Sequence, residues 1–84
     1  DLSALTTIEG LESVYVSGAE ELYDLPDLHK CSNLKEVVLY GTNIEDYSAL
    51  LSAPTLETVS IQGQISDELR SELEKKGVTI EKIN

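Results

Sequence analysis

The chain carries one histidine and one cysteine, His29 and Cys31, separated by a single position. A His-x-Cys pair could supply a thiolate nucleophile beside its base, or two ligands to a soft metal. The register of the chain argues against both. Cys31 aligns with Ile8 and Ala53, which are inward positions, so it reads as a small buried apolar residue. His29 aligns with Thr6 and Leu51 and points elsewhere.

Other chemistries find equally little. The glycines are isolated rather than gathered into a phosphate-cradling loop, and no serine has a second histidine to draw on. Recurring aspartates at Asp1, Asp24, Asp46 and Asp67 could gather a hard cation such as calcium. Their spacing is that of whole repeats, however, with no dense local loop of alternating acids and glycine. Acids are so numerous, 16 against six Lys and Arg, that paired carboxylates say nothing. We expect no enzyme, no metal site and no cofactor.

What positions the residues is a repeat of roughly 22 residues, the mark of a stacked array whose units bury one face against their neighbours. Leu11-Glu12-Ser13-Val14-Tyr15-Val16-Ser17-Gly18 returns as Leu34-Lys35-Glu36-Val37-Val38-Leu39-Tyr40-Gly41 and as Leu56-Glu57-Thr58-Val59-Ser60-Ile61-Gln62-Gly63. The first and third copies also agree at Asp1/Asp46, Ser3/Ser48, Ala4/Ala49 and Leu5/Leu50, while the middle copy keeps Asp24 and Leu28 in register. Within each copy Val14 to Val16, Val37 to Leu39 or Val59 to Ile61 alternates as a strand on a packed core requires. The strands should run parallel, one per copy. A glycine closes each, at Gly18, Gly41 and Gly63, where positive φ is expected. An apolar anchor follows (Leu22, Ile44, Ile65), then an aspartate that should cap a short helical stretch.

The last copy departs from this plan. Asp67 to Lys76 places acids early and bases late, with Leu69 and Leu73 one turn apart, and predicts a helix ended at Gly77. Val78 to Ile83 then alternates as a fourth strand in a terminal cap. The domain is thus 1–84, three repeats with a C-terminal cap over 65–84. At the other end Leu2, Leu5, Ile8, Leu11, Val14 and Val16 lack a polar cover. We expect either more upstream repeats or a second copy docked edge to edge, a homodimer. The chain has no methionine, so its native start was removed, lies upstream or falls outside this sequence; either of the latter two would make it the C-terminal fragment of a longer chain.

Ile44-x-Asp46-x-Ser48-x-Leu50 followed by Leu56-x-x-Val59-x-Ile61 resembles the leucine-rich repeat family in its bacterial internalin-like form. The resemblance implies an α/β fold: a right-handed solenoid with about four parallel strands on the concave face, short helices on the convex face, and protein ligands on the concave side. One departure matters. The family usually places Asn or Cys after the strand to bond the neighbouring coil, and the matching positions here are Ala19, Thr42 and Gln64. Asn43 stands in locally.

The outward face should carry Ser13, Tyr15 and Ser17, then Glu36, Val38 and Tyr40, then Thr58, Ser60 and Gln62, then Thr79 and Glu81, with Tyr15, Val38, Ser60 and Thr79 in one line. Tyrosine among small hydroxyls suits protein recognition, and β-branched and aromatic residues equally suit strands. The formal charge of −10 disfavours nucleic acid and favours a basic protein partner, besides keeping the chain soluble. The longest purely apolar run, Val37 to Tyr40, is too short to insert in a membrane. A single cysteine is compatible with the cytoplasm and leaves surface and secreted locations open. The leading expectation is a non-enzymatic protein-binding module. The alternatives are an acidic immunity or inhibitor protein covering a basic toxin or enzyme site, and a structural end piece of a longer solenoid.

Overall fold

The computed structural model describes residues 6–63 and 65–83. The expectations for Asp1, Leu2, Leu5 and Gln64 lie outside them. Four strands, β1 (Ser13–Ser17), β2 (Glu36–Tyr40), β3 (Thr58–Ile61) and β4 (Thr79–Lys82), form one open sheet in sequence order, every pair parallel. Among the described residues one α-helix, α1 (Asp67–Lys75), and a 3-10 segment (Ser48–Ser52) lie in the crossings. The protein is a small α/β protein with a parallel sheet.

Alternation decides which side packs. Val14, Val37, Val59 and Ile80 form one inward rung, and Val16, Leu39 and Ile61 begin the next. Val37, Leu39, Val59 and Ile61 are buried, whereas Val14 and Val16 on the first strand are half-buried. Leu34 and Leu73 reach 0% exposure, so each contributes about 1.5–3 kcal/mol by leaving water. Cys31 joins them at 4%, as a buried apolar residue should.

The crossings differ more than the repeat suggests. No helix forms after Asp24. Pro26 disfavours helical backbone at Leu25, and this copy instead crosses in turns. The third copy has no proline between Asp46 and Ser52 and winds into its 3-10 segment, packed on α1. Asp46 does not cap that segment directly: its Oδ1 accepts from the Ser48 amide at 2.9 Å, one position ahead of the N-cap Tyr47. Nor does Asp67 cap α1. Ser66 does, its Oγ accepting from the Leu69 amide at 3.2 Å, while Asp67 and Glu68 in the first turn favour the positive end of the helix dipole. The helix stops as expected at Gly77, where the Val78 amide returns to the Leu73 carbonyl at 3.0 Å and the Gly77 amide to Glu74 at 3.0 Å, and buried Val78 and Leu73 complete this Schellman end.

The three strand-closing glycines are not equivalent. Gly18 and Gly41 take the positive φ expected of them, and Gly63 does not. A Cβ on Gly63 would lie 2.8 Å from the buried Tyr47 hydroxyl, so close approach explains that glycine.

Candidate functional site

The face of the sheet turned away from the core carries every residue proposed for recognition. Pairing sets two full rows. Ser13, Glu36, Thr58 and Thr79 form one, and Tyr15, Val38, Ser60 and Glu81 the other. Ser17 and Tyr40 pair at the strand ends, and Gln62 follows β3. Thr79 therefore does not stand in line with Tyr15, as the sequence led us to expect. The distance between equivalent residues shortens by one at each crossing, from Ser13 to Glu36, Glu36 to Thr58 and Thr58 to Thr79, and β4 pairs from its first residue.

Tyr15 dominates this face at 69% exposure, with Tyr40 at 41%. The Tyr15 hydroxyl donates to Glu36 Oε1 at 2.5 Å, a diagonal contact between neighbouring strands. That hydrogen bond, and to a lesser degree desolvation and the Glu36 charge, hold the phenol above the ordinary tyrosine value. The contact also pins the ring across the boundary of β1 and β2. Half-buried Val38 pairs with Tyr15, and half-buried Thr58 and Ser60 continue the face on β3. Among the described residues the hydroxyls of Ser13, Ser17, Thr58, Ser60 and Thr79 bond nothing within the chain. Gln62 is different: its Oε1 accepts from the Gly41 amide at 2.8 Å, which commits it to the turn. No Lys or Arg stands on these rows, which hold two acids, Glu36 and Glu81.

The bonds that tie copy to copy were not legible as a ladder. Asn43 does stand in for the missing Asn position, donating to the Glu20 carbonyl at 2.5 Å while its amide bonds Leu22 at 3.0 Å. Elsewhere the stitches use other residues. Ser52 Oγ accepts from the Leu28 amide at 2.8 Å, Thr55 Oγ1 lies within bonding distance of the Ser32 and Leu34 carbonyls at 3.0 and 2.9 Å, and Lys76 Nζ donates to the Leu51 carbonyl.

His29 and Cys31 do not share a surface. His29 is exposed and sits 3.0 Å from Asp27 through Nδ1, its amide also donating to Asp27 at 2.9 Å, while Cys31 is buried. Asp27 was not singled out from the sequence, and its Asp-x-His spacing, that of an Asx turn, was the available signal. The His29 amide first, then its side chain, lower the Asp27 pKa below the usual carboxylate range. The Ser48 hydroxyl, then its amide, do the same for Asp46. Among the described residues no group of three or more His, Cys, Asp or Glu converges as metal ligands, and no helix is long and apolar enough to cross a membrane.

Comparison with protein-family models, with curated proteins and with solved structures finds no match for this chain.

Proposed function

We propose that this chain is a leucine-rich-repeat module of the bacterial internalin-like type, a right-handed solenoid that binds a protein partner on its concave sheet and is not an enzyme. The observation that carries the reading is the in-register face itself, with Tyr15 and Tyr40 exposed among hydroxyls that have no partner among the described residues. Large rigid rings supply contact area at low entropic cost, and the small hydroxyls adapt their hydrogen bonds to the ligand. Ser13, Ser17, Glu36, Val38, Thr58 and Ser60 complete the surface, and Gln62 borders it. The Tyr15→Ala, Tyr40→Ala double variant should weaken a purified partner by about a hundredfold while its circular dichroism stays native. Undiminished binding would refute the proposal.

A second reading follows from charge. A face with two acids and no cation, on a chain of net charge −10, suits an inhibitor that covers a basic active site. Ionic strength separates the two. An inhibitor complex of that kind weakens sharply as salt rises, whereas tyrosine-centred docking changes little.

A further inference from the structure

At the carboxyl ends of β3 and β4, on the core side of the sheet, lies a cleft of about 160 Å3 lined by Ile61, Gly63, Ile65, Arg70, Ile80 and Lys82. Ile61 is buried and Ile65 and Ile80 are half-buried, so its floor is branched and aliphatic. Its rim is cationic. Lys82 pairs in register with Ile61 and shares the strand face of Ile80, which brings its ammonium to the edge of an apolar floor. Arg70 arrives from α1 on the other side.

This convergence runs against the chemistry of the chain. Only six Lys and Arg face 16 acids, yet two of the six meet here and no acid lines the cleft. Among the described residues neither cation pairs with a carboxylate, although Glu74 lies one turn beyond Arg70 in α1. Two cations lining one small cleft with no acid among its lining favour an anion placed between them. A guanidinium fork receives a carboxylate through two parallel hydrogen bonds, and the ammonium adds a point charge. The volume is below the roughly 300–1,000 Å3 of sites for drug-sized ligands, so the ligand is small.

We propose that this cleft binds an aliphatic carboxylate, the anion between Arg70 and Lys82 and a short branched hydrocarbon group on Ile61, Ile65 and Ile80. Such a group is carried by a free branched-chain acid or by the C-terminal residue of a peptide that ends in leucine, valine or isoleucine. If the two cations merely lay their stems over the isoleucines, no ligand would be needed.

The test is a methyl-resolved NMR titration of isoleucine-labelled protein with 4-methylpentanoate, with a tetrapeptide ending in leucine, and with the amide of each. The expected result is saturable shifts at Ile61, Ile65 and Ile80 for one or both acids and none for the amides. Saturation by the free acid assigns a small-molecule site, and saturation by the peptide alone assigns a chain terminus. Arg70→Gln and Lys82→Gln, both at exposed positions, should each weaken binding by about tenfold without altering the fold. Failure of both acids to saturate, or equal binding of acids and amides, would overturn the proposal.

Discussion

Gly18 and Gly41 close adjacent strands with nearly the same backbone, φ +69° and +67°, and they make a matched pair for a test of how the strand ends stack. An alanine at either position meets the same left-handed penalty of about 1–2 kcal/mol. A stiffer unfolded chain returns about 0.4–1 kcal/mol of it. At Gly18 nothing lies within 4 Å of the added Cβ, so Gly18→Ala should cost about 1 kcal/mol. At Gly41 the Cβ would lie 3.0 Å from the Gly18 nitrogen and 3.3 Å from its Cα. That backbone has little room to retreat, because the Gly18 amide donates to the Tyr40 carbonyl at 3.0 Å. Overpacking adds about 1–3 kcal/mol, for a total near 2–4 kcal/mol. A domain of this length holds about 4–12 kcal/mol in all. The assay is urea unfolding followed by circular dichroism, with a thermal midpoint expected to fall by roughly 4–8 °C per kcal/mol. Equal destabilisation by the two alanines would show that Gly41 does not sit on Gly18, and that the proposed stacking of β1 on β2 is wrong.

Two further outcomes follow from the hydrogen bonds. Tyr15 should titrate above the ordinary tyrosine value in a phenolate absorbance titration, and Glu36→Ala should remove the displaced component; an unchanged titration would show the contact absent in solution. Because the folded value is raised, this contact stabilises the protein at pH below the ordinary tyrosine value near 10 and is lost as pH climbs through the higher folded value. Thr55→Val should cost about 1–2 kcal/mol in urea unfolding, since it strips a donor from the Ser32 and Leu34 carbonyls of the preceding copy; a loss near zero would mean that water replaces it freely.

The sequence made the strands, their parallel direction and the last helix legible, because all three depend on patterns that recur or are strongly periodic. Val14, Val37 and Val59 had to share a rung if the copies stacked, and Leu69 with Leu73 had to share a helix face. What was not legible depends on single residues. Pro26 removes a helix from one copy only, and Ser66 rather than the recurring aspartate caps α1. Thr79 was assigned to the wrong row because a fixed period hides a crossing that loses one residue each time. Arg70 and Lys82 carry no motif, and only the turn at Gly77 and the return of β4 beside Ile61 bring them to one cleft.

These departures share a cause. A regular array can reuse one side chain at one position to satisfy the backbone at every turn, so its repeats stay equal in length. Here the crossings shorten from copy to copy; the backbone repeats one bond at each strand entry, the amides of Lys35, Glu57 and Thr79 donating to the carbonyls of Glu12, Lys35 and Glu57, but the side-chain bonds do not repeat. Asn43, Ser52, Thr55, Gln62 and Lys76 each solve the problem once, from different places in their copies. Each solution fits only its own neighbours, so the copies cannot be exchanged without stranding a donor or acceptor. On the outward rows one side-chain bond joins two copies, from the Tyr15 hydroxyl to Glu36. Among the described residues the hydroxyls of Ser13, Ser17, Thr58, Ser60 and Thr79 join no copy to another. Most of the side-chain bonds between copies thus come from the turns and crossings, and the sheet face adds the Tyr15–Glu36 contact between β1 and β2.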